Sequence, residues 1–370
     1  MGQAGAGRPR AGLVLAGIAL ALAAALGLAE IGIRLWRPQP LGAAEAQPLL
    51  RGQFTRPGDW PVQTGEYSAT VHVNAAGFAD REWLPQKDPA RRRVMLIGDS
   101  FVQAAQVPTE AGIGRVLERA LQGSLPGALQ GAEVESLGVP GAGTATALLL
   151  LRRYLQERRP DAVILGFLVS NDVMNNHPLL EGKSDKPFFS LVDGQLILSD
   201  AASGVGLQSP LWRWSALWRY ATRARAAREA EAEKIRLGGG VPVDLRVHDP
   251  RPDPVWEQAW AVTGALIRAM AEESAAGGAR FGVLLFPDGI QATEGGRARA
   301  IQRWPQAAGW EFPAAQKRAA EVAAPAPVLD LLPALQGQEG AYLAQDGHWT
   351  VEGHRLAGEA AAPFVAGLLQ

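Results

Sequence analysis

The sequence predicts an α/β fold, a mostly parallel sheet covered by helices on both faces. Three observations predict it. Short apolar runs recur at 94–97, 132–137, 161–170, 279–287 and 326–333. Segments with apolar residues at helical spacing lie between them. The run at 94–97 and, apart from its end residues, the run at 161–170 are apolar instead of alternating, as strands buried on both faces are. In such sheets chemistry gathers beyond the carboxyl ends of the strands.

A chain of 370 residues holds two or three domains, or one larger domain with insertions. Hydrophobic residues make up 47% and charged residues 20%, enough to build a large core. The net charge of -1 gives no general pull toward nucleic acid or anionic lipid. Cysteine is absent, which excludes disulfides, thiolate metal sites, a cysteine nucleophile and lipoprotein acylation.

The elements follow in chain order. Residues 11–29 form an uncharged run of 19, preceded by Arg8 and Arg10. As a helix it is about 28 Å long, close to the hydrocarbon thickness of a bilayer. It exceeds the apolar core of a cleaved signal peptide, the competing reading, and points to an uncleaved anchor. Glu30 and Arg34 stand at i,i+4 spacing and can pair, and Trp36 suits the membrane interface. The basic tail is expected inside, making 1–37 a cytoplasmic tail and single-pass anchor of the inner membrane, with the rest exported. Residues 38–52, rich in Pro, Ala and Gln, read as a linker, and 53–370 as the main domain.

Within that domain 68–73 is strand-like and 74–77 turn-like. After the strand at 94–97, Thr109 is expected to cap a helix to about 122, with Ile113, Val116, Leu117 and Ala120 on one face. The strand at 132–137 leads through "GVPGAGT" into a helix over 145–157, which Pro160 stops. The third strand runs to Asn171-Asp172. An insertion over about 175–252 then interrupts the pattern, opening with two apolar runs around Asp193-Gly194, a hairpin signal. Its helical stretch aligns Leu211, Trp214, Leu217, Trp218 and Ala221, with arginines elsewhere. Such a stripe can face a membrane or a polyanion, or pack onto its own domain. Two further strands and a helix from Val351 to about Leu369 close the chain.

The chemistry centres on "VMLIGDSFVQ". Gly98 allows a sharp turn after the strand, so Ser100 follows at the sheet's carboxyl edge. A serine hydroxyl needs an adjacent base, and an imidazole oriented by a carboxylate supplies one. Of the histidines at 72, 177, 248, 348 and 354, only His348 sits beside an acid in a tight C-terminal motif, "QDGHWTVEGH". In an extended loop Asp346 and His348 point to one side, so the carboxylate can reach Nδ1 and leave Nε2 for Ser100. His354 reads as a surface or supporting residue. Donors for an oxyanion can come from the Ser100 amide, from Gly141 and from Asn171. No cofactor is required, and a metal site from Asp99, Asp346 and His348 lacks further ligands.

These blocks, "GDSF", "GVPGAGT", "SND" and "DGHWT", resemble those of SGNH hydrolases, the GDSL-type esterases. The resemblance spans about 93–172 and 255–368, and the anchor and hairpin insertion are similar to those of membrane-anchored bacterial members. It implies a three-layer α/β/α sandwich, with Ser100 as nucleophile and His348 as base. Ser100 N–H, Gly141 N–H and the Asn171 side chain would form the oxyanion hole. Two positions depart from the family. Ser136 stands where an Asn is usual, and Gln345 where the acid is usual. The spacing Asp346-x-His348 is instead similar to proteins that O-acetylate alginate and related exopolysaccharides, and it leaves Asp346 as the acid. The expected function is therefore an extracytoplasmic serine esterase or acyltransferase acting on O-acetyl esters of a carbohydrate. The alternatives are a lipid or thioester esterase with the same triad, and a non-catalytic module of a polysaccharide-export complex. Expected partners are an acylated carbohydrate, the membrane and a membrane-bound O-acyltransferase, not nucleic acid.

Overall fold

A computed structural model describes residues 8–36, 56–124, 132–182, 186–200, 214–251 and 253–370. The expected linker 38–52 and Leu211 lie outside the described residues. The strands are β1 (Gly58–Gln63), β2 (Ser68–Val73), β3 (Arg93–Gly98), β4 (Glu133–Gly138), β5 (Ala162–Leu168), β6 (Pro187–Val192), β7 (Gln195–Asp200), β8 (Arg280–Phe286) and β9 (Val328–Asp330). Five of them form a parallel sheet in the order β4-β3-β5-β8-β9. β1 with β2 and β6 with β7 make two antiparallel hairpins.

The sheet has helices on both faces. Along β3, Met95 and Ile97 point into one core and Val94 and Leu96 into the other. The first core closes on α4 (Thr144–Arg158) and α8 (Pro254–Ala276) through Leu148, Leu151, Trp260 and Leu266. The second closes on α3 (Ile113–Ser124) and the C-terminal helix Val351–Leu368 through Ile113, Leu117, Ala361 and Val365. This is why β3 and β5 read as nearly continuous apolar runs, since both of their faces meet helices. On the edge strand β4, by contrast, Glu133 and Glu135 alternate with apolar residues and are buried against Arg93 and Arg158. The three-layer α/β/α sandwich is the architecture the sequence predicts.

Strand β4 is an edge, and its outward backbone groups are covered by side chains. Ser136 N–H donates to Asp80 at 2.9 Å, Val134 N–H donates to Glu118 at 2.7 Å, and Arg115 donates to the Val134 carbonyl. The edge is thereby closed to a further strand. Ser136 packs so tightly against Gly114 that a Cβ there would lie 1.9 Å from its hydroxyl.

Three local expectations are corrected. Thr109 does not cap α3. Its hydroxyl accepts the His72 N–H at 2.7 Å, tying β2 to a short turn, Thr109–Ala111, while α3 begins at Ile113. The third strand ends at Leu168, because the Asp172 carboxylate accepts the Leu168 N–H at 2.9 Å and turns the chain into α5 (Val169–Asn175). Strand β1 was not anticipated, since its Gly and Pro mask a pattern that forms only by pairing with β2.

At the N-terminus lies α1 (Arg8–Trp36), exposed and apolar on all sides from Gly12 to Ala29. Among the described residues it is the one helix long and apolar enough to cross a membrane, with mean hydropathy 2.4 over an 18-residue window within Gly12–Trp36. Glu30 and Arg34 do pair, at 2.7 Å. In the insertion, α7 (Ala216–Gly238) begins at the N-cap Ser215. The described tryptophans of the expected stripe do not pack inward: Trp214 is 73% and Trp218 39% exposed, whereas Ala216, Arg219 and Thr222 are buried.

Candidate active site

Ser100 opens a single helical turn, α2 (Ser100–Gln103), directly after β3. The turn lies against the ends of the neighbouring strands. A Cβ on Gly98 would stand 2.8 Å from the Gly166 carbonyl, and one on Gly138 would stand 2.1 Å from the Gln103 nitrogen. Glycine at both positions lets the turn sit on the sheet's rim. Asp99 caps it, accepting the Phe101 N–H at 2.9 Å. The Ser100 amide is at a helix start, where no carbonyl of the helix receives it.

The structure brings Ser100, His348 and Asp346 together. His348 Nε2 lies 2.7 Å from Ser100 Oγ, and His348 Nδ1 lies 2.5 Å from Asp346. The carboxylate fixes the proton on Nδ1, so Nε2 presents a lone pair to the hydroxyl. Gly347, at φ +82, gives the turn between acid and base a conformation that a side chain disfavours. The Leu343 N–H donates to the His348 carbonyl at 2.8 Å and closes this loop. The imidazole rests on the Phe101 ring, 4.8 Å between centroids, and Phe101 packs edge-on against buried Trp349 at 4.9 Å. The residue after the serine and the residue after the histidine thus share one aromatic bed.

Asn171 lies in the first turn of α5, not in a loop. Its Nδ2 donates to Asp99 at 2.9 Å, leaving the second amide hydrogen for another acceptor. Burial pushes the Asp99 carboxyl up from its ordinary range. Burial pushes Asp172 up further, and the neighbouring Asp99 charge adds to it. Gly141 follows β4 at φ +64, and its carbonyl accepts the Lys186 ammonium at 2.5 Å. Lys186 is itself paired with Glu181 at 2.7 Å. Since β4 and β5 flank β3, Gly141 and Asn171 stand on opposite sides of the strand that delivers Ser100.

Glu66, in the β1–β2 turn, has no counterpart in the sequence reading. It accepts the N–H groups of Gln345 at 3.0 Å and Asp346 at 2.9 Å, clamping the loop that carries the acid. Those amides, Gln345 first, hold its carboxyl below the ordinary range. Lys186 also escaped that reading, and Asp99 entered it only as a metal ligand, not as the cap of α2 and partner of Asn171. Asp99 had a local signal, an acid just before a helical turn; Glu66 and Lys186 had none.

The other histidines stand apart from Ser100. His72 pairs with Asp59 at 2.7 Å, His177 caps the turn α6 (Pro178–Glu181), and His248 meets the Phe312 carbonyl at 3.1 Å. Of the two expectations for His354, surface or supporting, the structure overturns the surface one. Its ring is buried edge-on against Trp349 at 5.5 Å, and burial, with the His348 charge, lowers its pKa to about 3. Among the described residues no cluster of three or more His, Asp or Glu is arranged to hold a metal ion.

A hydroxyl bonded to an imidazole that is bonded to a carboxylate can deprotonate as it attacks a carbonyl carbon. Such an attack also needs N–H donors for the negative charge that develops on the carbonyl oxygen.

No family model matches the chain, and no curated protein matches it. Solved structures similar to it include the lipase/acylhydrolase from Enterococcus faecalis, 16% identical with a TM-score of 0.38, covering 75% of this chain and 96% of that one. A GDSL-like lipase from Bacteroides thetaiotaomicron is 11% identical with a TM-score of 0.36, covering 77% and 92%. The inhibitor-bound aryl esterase of M. Smegmatis is 12% identical with a TM-score of 0.37, covering 75% and 99%. At such scores these likenesses carry no weight for the chemistry, which rests on the geometry above.

Proposed function

We propose that the chain is a serine esterase or acyltransferase, anchored by α1 with its main domain outside the inner membrane. The observation that carries this reading is the relay from Asp346 through His348 to Ser100, at 2.5 and 2.7 Å. Ser100 Oγ attacks the acyl carbon while its proton passes to His348 Nε2. The carbonyl oxygen becomes an oxyanion held by the amides of Ser100 and Gly141 and by Asn171 Nδ2. Collapse of this intermediate expels the alcohol, which takes the proton from Nε2 and leaves an acyl ester on Ser100. Water or an acceptor hydroxyl then attacks the acyl carbon, giving its proton to Nε2, and collapse releases the acid or the new ester as Ser100 Oγ takes that proton back from Nε2.

The O-acetyl ester of a carbohydrate is the substrate favoured by the Asp346-x-His348 motif and its likeness to exopolysaccharide O-acetylation proteins. An acylated glycan and a membrane-bound O-acyltransferase are the partners this reading assigns. The relay is open, with the His348 and Asp346 side chains 23% and 28% exposed, which suits a hydrophilic acceptor approaching from solvent.

A fluorophosphonate probe tests the reading. It is expected to label the full chain and not Ser100→Ala. On a series of p-nitrophenyl esters, turnover is expected to be sharpest at acetyl. A preference for long chains would replace the sugar ester with a lipid substrate. Absence of both labelling and turnover would leave a binding module.

A further inference from the structure

Helix α7 joins two distant parts of the molecule. Its C-terminal end is held by the main domain, where Leu237 is buried and Lys234 donates to the Glu181 carbonyl at 3.1 Å. Its first turn is held by α1. Glu30 accepts the N–H of Ala216 at 2.7 Å, the N–H of Leu217 at 2.8 Å and the Ser215 hydroxyl at 2.8 Å. Arg34 grips the same carboxylate at 2.7 Å and donates to the Trp214 carbonyl at 2.6 Å. The start of α7 is thus fixed at the level where α1 ends.

The chemistry around that junction is unlike the rest of the surface. Trp36 is 85%, Trp214 73%, Trp218 39% and Tyr220 37% exposed, and none of them fills the core. The sequence from 216 to 228 carries four arginines and no carboxylate; the acids begin at Glu229. Indole and phenol rings favour the headgroup layer, where the ring is desolvated and the polar tip stays wet. Of these arginines Arg219 is buried and Arg225 is paired with Glu229 at 2.7 Å, while Arg228 is exposed, and an exposed guanidinium complements anionic headgroups.

We propose that the first turns of α7, with Trp214, Trp218 and Tyr220, lie on the headgroup layer of an anionic bilayer beside the exit of α1. This rests on the reading that α1 crosses the membrane. The occupant is lipid, because the aromatic surface is continuous with the end of the span and is pinned there by Glu30 and Arg34.

The cysteine-free sequence allows a direct test. Leu20→Cys, Trp214→Cys, Trp218→Cys and Ile235→Cys are each labelled with an environment-sensitive fluorophore. The full chain is placed in phosphatidylcholine–phosphatidylglycerol nanodiscs carrying a headgroup-proximal nitroxide lipid. Labels at 214 and 218 are expected to emit to the blue of the label at 235 and to be quenched, with quenching about twofold weaker in phosphatidylcholine alone. Water-like emission at both 214 and 218, with the label at 20 in lipid, would overturn the proposal and spare the anchor. A water-like label at 20 would remove the anchor and the proposal together. Equal quenching in both lipids would overturn the anionic preference.

Discussion

The Glu66 carboxylate accepts the Asp346 N–H at 2.9 Å across 280 positions of sequence. With the Gln345 N–H it holds the acid's loop from behind, so the small β1–β2 hairpin acts on the site without touching Ser100. Glu66→Gln keeps one acceptor oxygen and loses the charge. It is expected to lower kcat about tenfold with KM unchanged, because the loss falls on loop geometry and not on substrate contacts. Steady-state kinetics on an acetyl ester checks this, and a KM effect alone would contradict it.

Asn171 is both an oxyanion donor in the proposed mechanism and the partner of Asp99. Asn171→Ala is expected to reduce kcat on the order of 10²–10³-fold. Unchanged turnover would remove Asn171 from the oxyanion hole.

Asp346→Asn keeps the shape of the acid but no longer fixes the proton on Nδ1 of His348. Turnover is expected to drop on the order of 10⁴-fold while fluorophosphonate-free folding, read by circular dichroism, is preserved. Activity near that of the unaltered chain would move the acid elsewhere.

Gly138→Ala puts a methyl group 2.1 Å from the Gln103 backbone nitrogen. Backbone cannot yield as a side-chain tip can, so α2 must shift and carry Ser100 out of reach of His348. A loss of about 1–3 kcal/mol in urea unfolding is expected, with activity falling more steeply than stability.

His354 titrates at about 3 in the folded chain against an ordinary 6.5. Between those values the unfolded chain binds a proton that the folded chain refuses, so stability falls as pH falls through the window. The slope is at most about 1.4 kcal/mol per pH unit. His354→Leu is expected to flatten that decline, as measured by urea unfolding at about pH 7 and about pH 4.5. Parallel declines in both chains would show that another group drives acid unfolding.

Much of this architecture is legible in the sequence because it depends on local pattern. Strands β3 and β5 are almost wholly apolar, the helices between the strands have apolar faces, and Gly98 marks the turn before Ser100. Asp346 and His348 are readable for the same reason, since they share one short loop. What was missed depends on distant partners. Thr109 has the chemistry of a cap, but the His72 amide claims its hydroxyl. Val169 and Ser170 continue an apolar run, and only the Asp172 side chain, folding back to Leu168, decides that helix begins there. Glu66 and Lys186 are ordinary surface charges until tertiary structure sets one against a loop and the other against the Gly141 carbonyl.

Strand β3 lies between β4 and β5, the two strands that follow it, so the chain departs from it first to one side and then to the other. The polar groups around Ser100 consequently arrive on separate connections, after β4, after β5 and before the last helix. Each connection can lengthen outward without disturbing the others, as the one after β5 has done by acquiring a hairpin and a long helix. Such a scaffold can evolve a new choice of acyl acceptor through one loop at a time while the reacting atoms keep their places.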